Sequence, residues 1–446
     1  MNLFDRSLNR RMALKLAGAG IAITGISLPT GGLAAAAQDQ GKVTFWLDIT
    51  GGSDTAQWLI DNTIKEYNAK GGVQVEATMQ ANGWTATQTA LAGGAGPDIV
   101  VTPGPSLSME LGKAGQILAL DAYAAKYGWD KSFSPWAIDL GKVGGKLVAL
   151  PDEVETLMLY YNKSLFTDQG WTPPKTLDEM MTLAKIIPFA HTNAEWKGSN
   201  EWFIGEFLNH SAGPDKIYQA LKGKIPWTDQ VFVDALTLLD TCQKNGWFMG
   251  GLDRYYTTPS ADATSAWAYG DAAMKIEGTW LVSNANTFFK ESGQAWDWVP
   301  MPSTGGEEIY GLGIGSTYSI NSINAKSKVA DAAAEFLGSF FSPESQAKMV
   351  AGINLAPAPV NIPNELLSEI DPRQARMIDR LNKASSAGSY GYTTWTFWPP
   401  KTETYLIEEI EKVWAGDTTV ANYLKGMQDI FATELAAGSV PPVPGR

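Results

Sequence analysis

Between residues 43 and 102, the apolar positions follow in turn the patterns that are typical of strands and of helices. Residues 43–47 form an apolar run typical of a buried strand, and apolar side chains then recur at helical spacing over residues 60–67. Residues 73–77 alternate between apolar and polar, a Thr/Ala-rich helix is predicted over about 85–92, and residues 98–102 form a third apolar run. The order strand, helix, strand, helix, strand predicts a parallel, doubly wound sheet.

Ligands of such sheets bind beyond the carboxyl ends of the strands. The loop after the first strand, residues 48–54, lies at that edge and contains Asp48, Ser53 and Asp54. One of these three side chains is expected to contact a ligand. Trp84 lies in the next loop of the same edge and is a further candidate.

The middle of the chain repeats the same pattern of strands and helices. Residues 146–151, 156–161 and 272–276 are predicted strands, and Thr176 with Glu179 has the form of a capping box at the start of a helix. Two further amphipathic helices are predicted over residues 328–341 and 403–437.

Residues 1–37 are interpreted as an export signal. A basic start is followed by an apolar stretch, residues 16–28, which is shorter than the roughly 20 residues that a membrane span needs. Four alanines close the segment, and the pair Arg10 and Arg11 resembles the twin-arginine signal. The residues after the pair are less apolar than usual in that signal, so the general secretory route stays open. A membrane-anchored N terminus is the alternative.

Composition narrows the possible functions. The formal net charge of −13 argues against nucleic acid and anionic membranes as partners, because both need a basic surface. The only cysteine, Cys242, and the only histidines, His191 and His210, argue against a disulfide framework, a metal centre or a Cys-ligated cofactor. The 17 tryptophans are the most informative feature of the composition, because so many in an acidic exported chain call for an explanation.

Several segments carry a family resemblance. Residues 145–163, followed by residues 173–176, closely resemble the first hinge of the maltose-binding-protein family, the family-1 extracellular solute-binding proteins of ABC importers. The segments that are also similar, in order and spacing over essentially the whole exported chain, are residues 42–46, 96–100, 273–280 and 416–420.

The resemblance implies an α/β fold of two lobes, each a mainly parallel sheet flanked by helices, with a hinge and a ligand cleft between them. The chain would cross between the lobes near residues 151–156, 300–310 and 354–360. The implied division is lobe 1 from residues 38–153 plus about 308–355, and lobe 2 from about 156–306 plus 357–446.

The implied ligand is a sugar, which needs aromatic planes for its C–H faces and polar groups for its hydroxyls. The family places a stacking aromatic at Trp280 and a second at either Trp395 or Trp398. Glu155 matches an acid that bonds ligand hydroxyls, and Glu153 lies on the same side of an extended chain.

Other candidate ligand contacts are less specific. Asp98 belongs to a Gly-Pro-Asp motif in which the family often has an acid near the ligand, although a structural role at the strand start fits equally well. Tyr255, Tyr256 and Trp267 flank a Gly-, Thr- and Ser-rich loop and are expected to line the second lobe.

Three alternatives compete with a sugar receptor. An exported glycoside hydrolase would use Glu153 and Glu155 as its pair of carboxylates. A ferric-ion receptor would use tyrosine pairs, of which residues 160–161 and 255–256 are examples. A receptor for an anionic solute such as a glycerol phosphodiester would need arginine in the cleft, where only Arg254 is a candidate.

These observations predict a periplasmic or otherwise extracytoplasmic receptor that is soluble, monomeric and not an enzyme. It would capture a neutral mono- or oligosaccharide by closure of the hinge and deliver it to the membrane subunits of an ABC permease. No cofactor and no metal are expected.

Overall fold

The computed structural model of the chain describes residues 41–49, 53–194, 197–315, 320–353 and 356–445. The predicted export signal, residues 1–37, lies outside the described residues.

Within the described ranges, the strands form four sheets. They are β1 (Val43–Asp48), β2 (Val75–Gln80), β3 (Ile99–Thr102), β4 (Lys142–Val143), β5 (Lys146–Leu147), β6 (Leu150–Pro151), β7 (Val154–Glu155), β8 (Leu157–Asn162), β9 (Met274–Gly278), β10 (Trp296–Pro300), β11 (Gly311–Ile314), β12 (Ile320–Ile323) and β13 (Gly391–Tyr392).

Helices connect and cover these strands. In the first half they are α1 (Asp54–Trp58), α2 (Lys65–Ala69), α3 (Gly83–Ala92), α4 (Pro105–Lys113), α5 (Asp121–Tyr127), α6 (Trp129–Ser132), α7 (Pro135–Ile138), α8 (Lys163–Gln169), α9 (Leu177–Ala184) and α10 (Ser199–Phe207). In the second half they are α11 (Pro214–Leu221), α12 (Gln230–Lys244), α13 (Gly251–Tyr255), α14 (Ser260–Tyr269), α15 (Leu281–Ser292), α16 (Ala330–Phe340), α17 (Pro343–Ile353), α18 (Pro372–Ala387), α19 (Pro400–Ala415) and α20 (Val420–Ala436). Single turns of other helix types are Leu59–Ile64, Asp139–Gly141, Leu208–Ala212, Asn364–Leu367 and Thr394–Thr396.

The largest sheet has the strand order β2-β1-β3-β12-β6. Its first three strands are parallel, as the alternation of strands and helices predicts, whereas β12 runs antiparallel to both β3 and β6. The carboxyl ends of β1, β3 and β6 therefore meet at one edge, together with the start of β12. This edge is where a ligand of such a sheet binds.

A second sheet has the order β10-β8-β9, and β8 pairs antiparallel with both neighbours. This corrects the expectation of a mainly parallel sheet in the second half of the fold. Because β9 and β10 both oppose β8, they run parallel to each other and are connected through α15. The predicted strand–helix–strand unit is thus present as β9, α15 and β10. The apolar pattern, however, does not indicate that β8 lies between these two strands and runs in the opposite direction.

A third sheet joins segments that are far apart in sequence. Here β11 pairs antiparallel with β7 and parallel with β13. The chain leaves the large sheet at Pro151, passes through β7 and enters the second sheet at Leu157 within six residues. The Val154 amide also donates to the Pro357 carbonyl at 2.9 Å, so a further segment meets the others at this strand.

Two hydrophobic cores support these sheets. One core contains β1, the helices α16 and α17 and their neighbours, and the other contains β8, β9 and most of the aromatic side chains. Cys242 is buried in the second core as expected, and burial raises the pKa of its thiol to about 12. The predicted capping box also forms, since Thr176 accepts from the Glu179 amide while the Glu179 side chain accepts from the Thr176 amide.

Candidate ligand-binding site

Three buried acids follow the carboxyl end of β6. Asp152, Glu153 and Glu155, here called the acidic segment, are each at most 5% exposed. Asp152 accepts from the Asn321 side-chain amide at 3.1 Å and from the Glu153 backbone amide at 3.0 Å. The Glu155 carboxylate accepts from the indole N–H of Trp395 at 3.0 Å. The acidic segment therefore lies at the ligand edge of the large sheet and along the passage to the second sheet.

Burial makes full ionisation of the acidic segment unfavourable. Loss of solvation and the nearby Glu153 carboxylate raise the pKa of Asp152 to about 8. The same two causes raise the pKa of Glu155 well above its ordinary value, against the opposing hydrogen bond from Trp395. The raised pKa of Asp152 means that this carboxyl group keeps its proton at neutral pH in the folded protein.

Three tryptophans from distant parts of the chain form one cluster beside Glu155. The tryptophan cluster consists of Trp202 on α10, Trp280 after β9 and Trp395 in the turn Thr394–Thr396. The ring centroid of Trp280 lies 5.1 Å from that of Trp202 and 6.4 Å from that of Trp395, and Trp202 and Trp395 are 6.5 Å apart. All three rings are partly exposed. They form a continuous aromatic surface next to buried carboxyl groups.

Two glycines make room for this arrangement. A Cβ at Gly278 would lie 2.1 Å from the Trp280 ring, so the ring folds back over a position that must lack a side chain. A Cβ at Gly315 would lie 1.7 Å from the Glu155 carboxylate and 2.5 Å from the Trp395 indole nitrogen. Trp280 and Trp395 therefore each depend on a glycine at a close contact.

A second group of candidates lies at the same edge of the large sheet but further along it. Asp48, at the end of β1, accepts from the Trp84 backbone amide at 3.3 Å, and Trp84 is partly exposed. Ser53 and Asp54 are exposed at the start of α1. Three strand spacings separate β1 from β6, so Asp48 lies roughly 14 Å from the acidic segment, as estimated from the usual spacing of strands.

Asp98 does not belong to the site. It precedes β3 and so lies at the amino edge of the parallel strands, opposite to the edge where ligands bind. Its carboxylate accepts from the Thr44 amide and hydroxyl at 2.9 and 2.6 Å and from the Ser327 hydroxyl at 2.6 Å. The structural role, which the motif also allowed, is the one that the structure shows.

Three predicted aromatic contacts are core residues instead. Tyr255, Trp267 and Trp398 have no exposed surface. Trp267 packs edge-on against Phe289, and the indole of Trp398 donates to Glu201 at 2.8 Å inside the second core. Of the two tryptophans that the resemblance left open, only Trp395 is accessible to a ligand.

Trp202 is the member of the cluster that the sequence did not indicate. It lies on α10, and all the remaining residues of that helix are buried, so the apolar pattern does not distinguish Trp202 from its neighbours. None of the segments that carry the family resemblance includes this helix. Only the packing of α10 against the turn that holds Trp395 places its ring beside Trp280.

The class of the protein follows from a family model that matches more than half of the chain. Residues 62–369 match the family described as bacterial extracellular solute-binding protein, and the chain belongs to that family. Members of this family are solute-binding proteins rather than enzymes, in agreement with the prediction that this protein is not an enzyme.

Named relatives have sugar-related descriptions. The chain is 25% identical over 293 residues to a probable sugar-binding periplasmic protein of Mesorhizobium japonicum, over 63% of this chain and 66% of the relative. It is 34% identical over 183 residues to the diacetylchitobiose binding protein NgcE of Streptomyces coelicolor, over 37% of each chain. The chain thus matches less than two thirds of the length of these curated relatives.

Solved structures share the fold over nearly their whole length. A chitin oligosaccharide binding protein has a TM-score of 0.72 at 21% identity, covering 88% of this chain and 98% of its own. The GacH receptor of Streptomyces glaucescens has a TM-score of 0.68 at 20% identity, covering 89% and 98%. These similarities confirm the predicted two-lobed fold of the family. Among the described residues, no helix combines the length and the apolar character that a membrane span needs.

The contact at Gly315 predicts the effect of one added methyl group. Gly315→Ala should lower the free energy of unfolding by about 1–3 kcal/mol, because its Cβ would overlap the Glu155 carboxylate and the Trp395 indole. Urea unfolding followed by far-UV circular dichroism measures this. Gly445→Ala is the control, since a Cβ there meets open space. Equal stability of the two variants would contradict the close packing at Glu155.

The raised pKa of Asp152 predicts a pH-dependent stability. Its proton is kept in the folded protein up to about pH 8 but is lost above about pH 4 once the chain unfolds, so stability falls as the pH rises through this window. Each pH unit should cost up to about 1.4 kcal/mol. Asp152→Asn should flatten the decline between pH 5 and pH 8, whereas the exposed Asp262→Asn should not. Parallel stability curves for all three proteins would contradict the buried neutral acid.

Proposed function

We propose that the protein is the extracytoplasmic receptor of an ABC importer and captures a mono- or oligosaccharide without converting it. The observation that carries the proposal is the tryptophan cluster beside the acidic segment. Aromatic faces suit the C–H faces of a sugar ring, and carboxyl groups suit its hydroxyls. The names of the relatives, a sugar-binding periplasmic protein and a diacetylchitobiose binding protein, point in the same direction and to a site of action outside the cytoplasm.

The proposed contacts are the three partly exposed tryptophans of the cluster and two acids of the adjoining acidic segment. Trp202, Trp280 and Trp395 would stack on the sugar, while Glu153 and Glu155 would bond its hydroxyls. A longer ligand would extend along the edge toward the contacts at the end of β1, which are Asp48, Ser53, Asp54 and Trp84. The distance of roughly 14 Å between the two groups, three strand spacings, supports a ligand of more than one ring.

The proposed sugar is neutral. Three of the arginines in the exported chain belong to α18, and all three are paired with acids, namely Arg373 with Asp371, Arg376 with Asp297 and Arg380 with Glu308. Two lysines lie five residues along the chain from a tryptophan of the cluster, and both are paired with acids, Lys197 with Glu411 and the buried Lys275 with Glu277. The cations that an anionic ligand would need are therefore already neutralised at these positions.

The proposed mechanism is closure of two lobes around the sugar. The passage through residues 152–156 is short and polar, and it joins the large sheet directly to the second sheet. We keep the division into lobe 1, residues 38–153 plus about 308–355, and lobe 2, about 156–306 plus 357–446, as part of this proposal, together with a monomeric state. The closed form would then be recognised by the permease.

The alternatives have less support. The family that matches residues 62–369 is one of solute-binding proteins, which does not favour a glycoside hydrolase. Of the tyrosines that a ferric site would use, Tyr160 is buried and donates to the Gly278 carbonyl at 2.8 Å. In the described part of the chain, no group of three or more His, Cys, Asp or Glu side chains is placed to hold a metal ion.

Binding should depend on the ring of Trp280. With maltotriose, diacetylchitobiose, xylobiose and raffinose as a panel, calorimetry should find a sugar that binds at one molecule per chain and is recovered unchanged. Trp280→Ala should weaken its binding by about 1.5–3 kcal/mol, the scale of a buried aromatic anchor. The control is Trp171→Ala, which removes a partly exposed ring elsewhere that packs against Phe166.

A panel sugar that binds equally well to the Trp280→Ala and Trp171→Ala variants would contradict the stacking role of Trp280. A sugar that is consumed would favour the hydrolase instead.

A further inference from the structure

A buried ion pair lies directly behind the tryptophan cluster. Lys275 and Glu277 are two positions apart on β9, so their side chains point to the same face of the strand. The Lys275 ammonium lies 3.3 Å from the Glu277 carboxylate, and the two side chains are only 2% and 9% exposed. Lys275 also donates to the Ala190 carbonyl at 3.0 Å. A buried cation with these partners fixes the position of the carboxylate, because separating the pair would leave an uncompensated charge.

The two oxygens of Glu277 have different partners. Oε2 faces Lys275, while Oε1 accepts from the indole N–H of Trp280 at 3.1 Å. A hydrogen bond to an ionised acceptor is stronger and more directional than one between neutral groups. The carboxylate therefore links a buried cation to the one polar atom of the partly exposed Trp280 ring.

Packing restricts the same ring from its other sides. One side lies over the backbone at Gly278, where a Cβ would be 2.1 Å away, and another lies against Trp202, with the ring centroids 5.1 Å apart. A stacking surface contributes its full binding energy only when its plane is already set, since ordering a mobile side chain on binding costs free energy.

We propose that Glu277 is a positioning residue that fixes the plane of the Trp280 ring for sugar stacking. It acts through the indole N–H and does not contact the sugar. The proposal rests on the proposed function for its consequence, while the link between Glu277 and the ring rests on the geometry alone.

Two double variants separate the hydrogen bond from the ion pair. Lys275→Met with Glu277→Gln removes both charges but keeps an acceptor oxygen for the indole. Lys275→Met with Glu277→Leu also removes both charges and has a side chain of similar size, but it lacks the acceptor. Because neither variant leaves a buried charge unpaired, both should fold, and equal melting temperatures would establish that they are matched.

The first measurement needs no sugar. Indole N–H resonances of ¹⁵N-tryptophan-labelled protein are recorded, with the Trp280 signal assigned from Trp280→Phe, and its hydrogen exchange is timed. The Leu variant should exchange about ten-fold faster than the Gln variant, as expected when one hydrogen bond of roughly 1–1.5 kcal/mol is lost. Equal exchange rates in the two variants would overturn the proposal.

The second measurement is affinity for whichever of the four panel sugars the unaltered protein binds. The Gln variant should bind within about three-fold of the unaltered protein, and the Leu variant about ten-fold more weakly. Faster exchange without weaker binding would overturn the positioning role. If no panel sugar binds the unaltered protein, the proposed function fails separately, and equal exchange rates would still overturn the link between Glu277 and Trp280.

Discussion

The hydrogen bond from the Trp395 indole to the Glu155 carboxylate is the interaction on which the site depends. Glu155 belongs to β7, the strand by which the chain passes from the large sheet to the second sheet, and Trp395 comes 240 residues later. The bond forms because β11 pairs with both β7 and β13, which brings the turn after β13 against the passage. A glycine at position 315 leaves the space that the two side chains occupy. One contact thus joins the passage between the sheets to the aromatic surface.

The aromatic surface and the acids have complementary roles in the proposed receptor. Each of two site tryptophans donates its N–H to a buried carboxylate, Trp280 to Glu277 and Trp395 to Glu155. With these polar atoms satisfied within the protein, the rings present mainly carbon to a ligand. Hydroxyl groups would find their partners among the carboxyl oxygens beside the rings, where burial strengthens a hydrogen bond. A sugar has both kinds of surface, which is why this combination favours it.

Much of the fold could be predicted from the sequence because strands and helices leave a local record. The apolar runs of β1, β3 and β8 and the capping box at Thr176 all appear where the pattern placed them. The site was harder because it is assembled by tertiary contacts. Trp280 followed from its place after a strand and from the resemblance, but Trp202 lies on a helix that is buried nearly throughout, so no local signal marks it. Trp398 is three residues from Trp395 and faces the core. Asp98 was a candidate only because the family motif often has an acid near the ligand, whereas its place at the start of a strand already allowed the structural role that it has.

The central claim, that the protein closes around a sugar through the passage at residues 152–156, is tested most directly by small-angle X-ray scattering. The panel sugar that binds should reduce the radius of gyration, because its contacts with both sides of the cleft are complete only in the closed form. The decrease should saturate at one sugar per chain and should be absent when the sugar is replaced by one that does not bind. Tight binding with an unchanged radius of gyration would contradict closure.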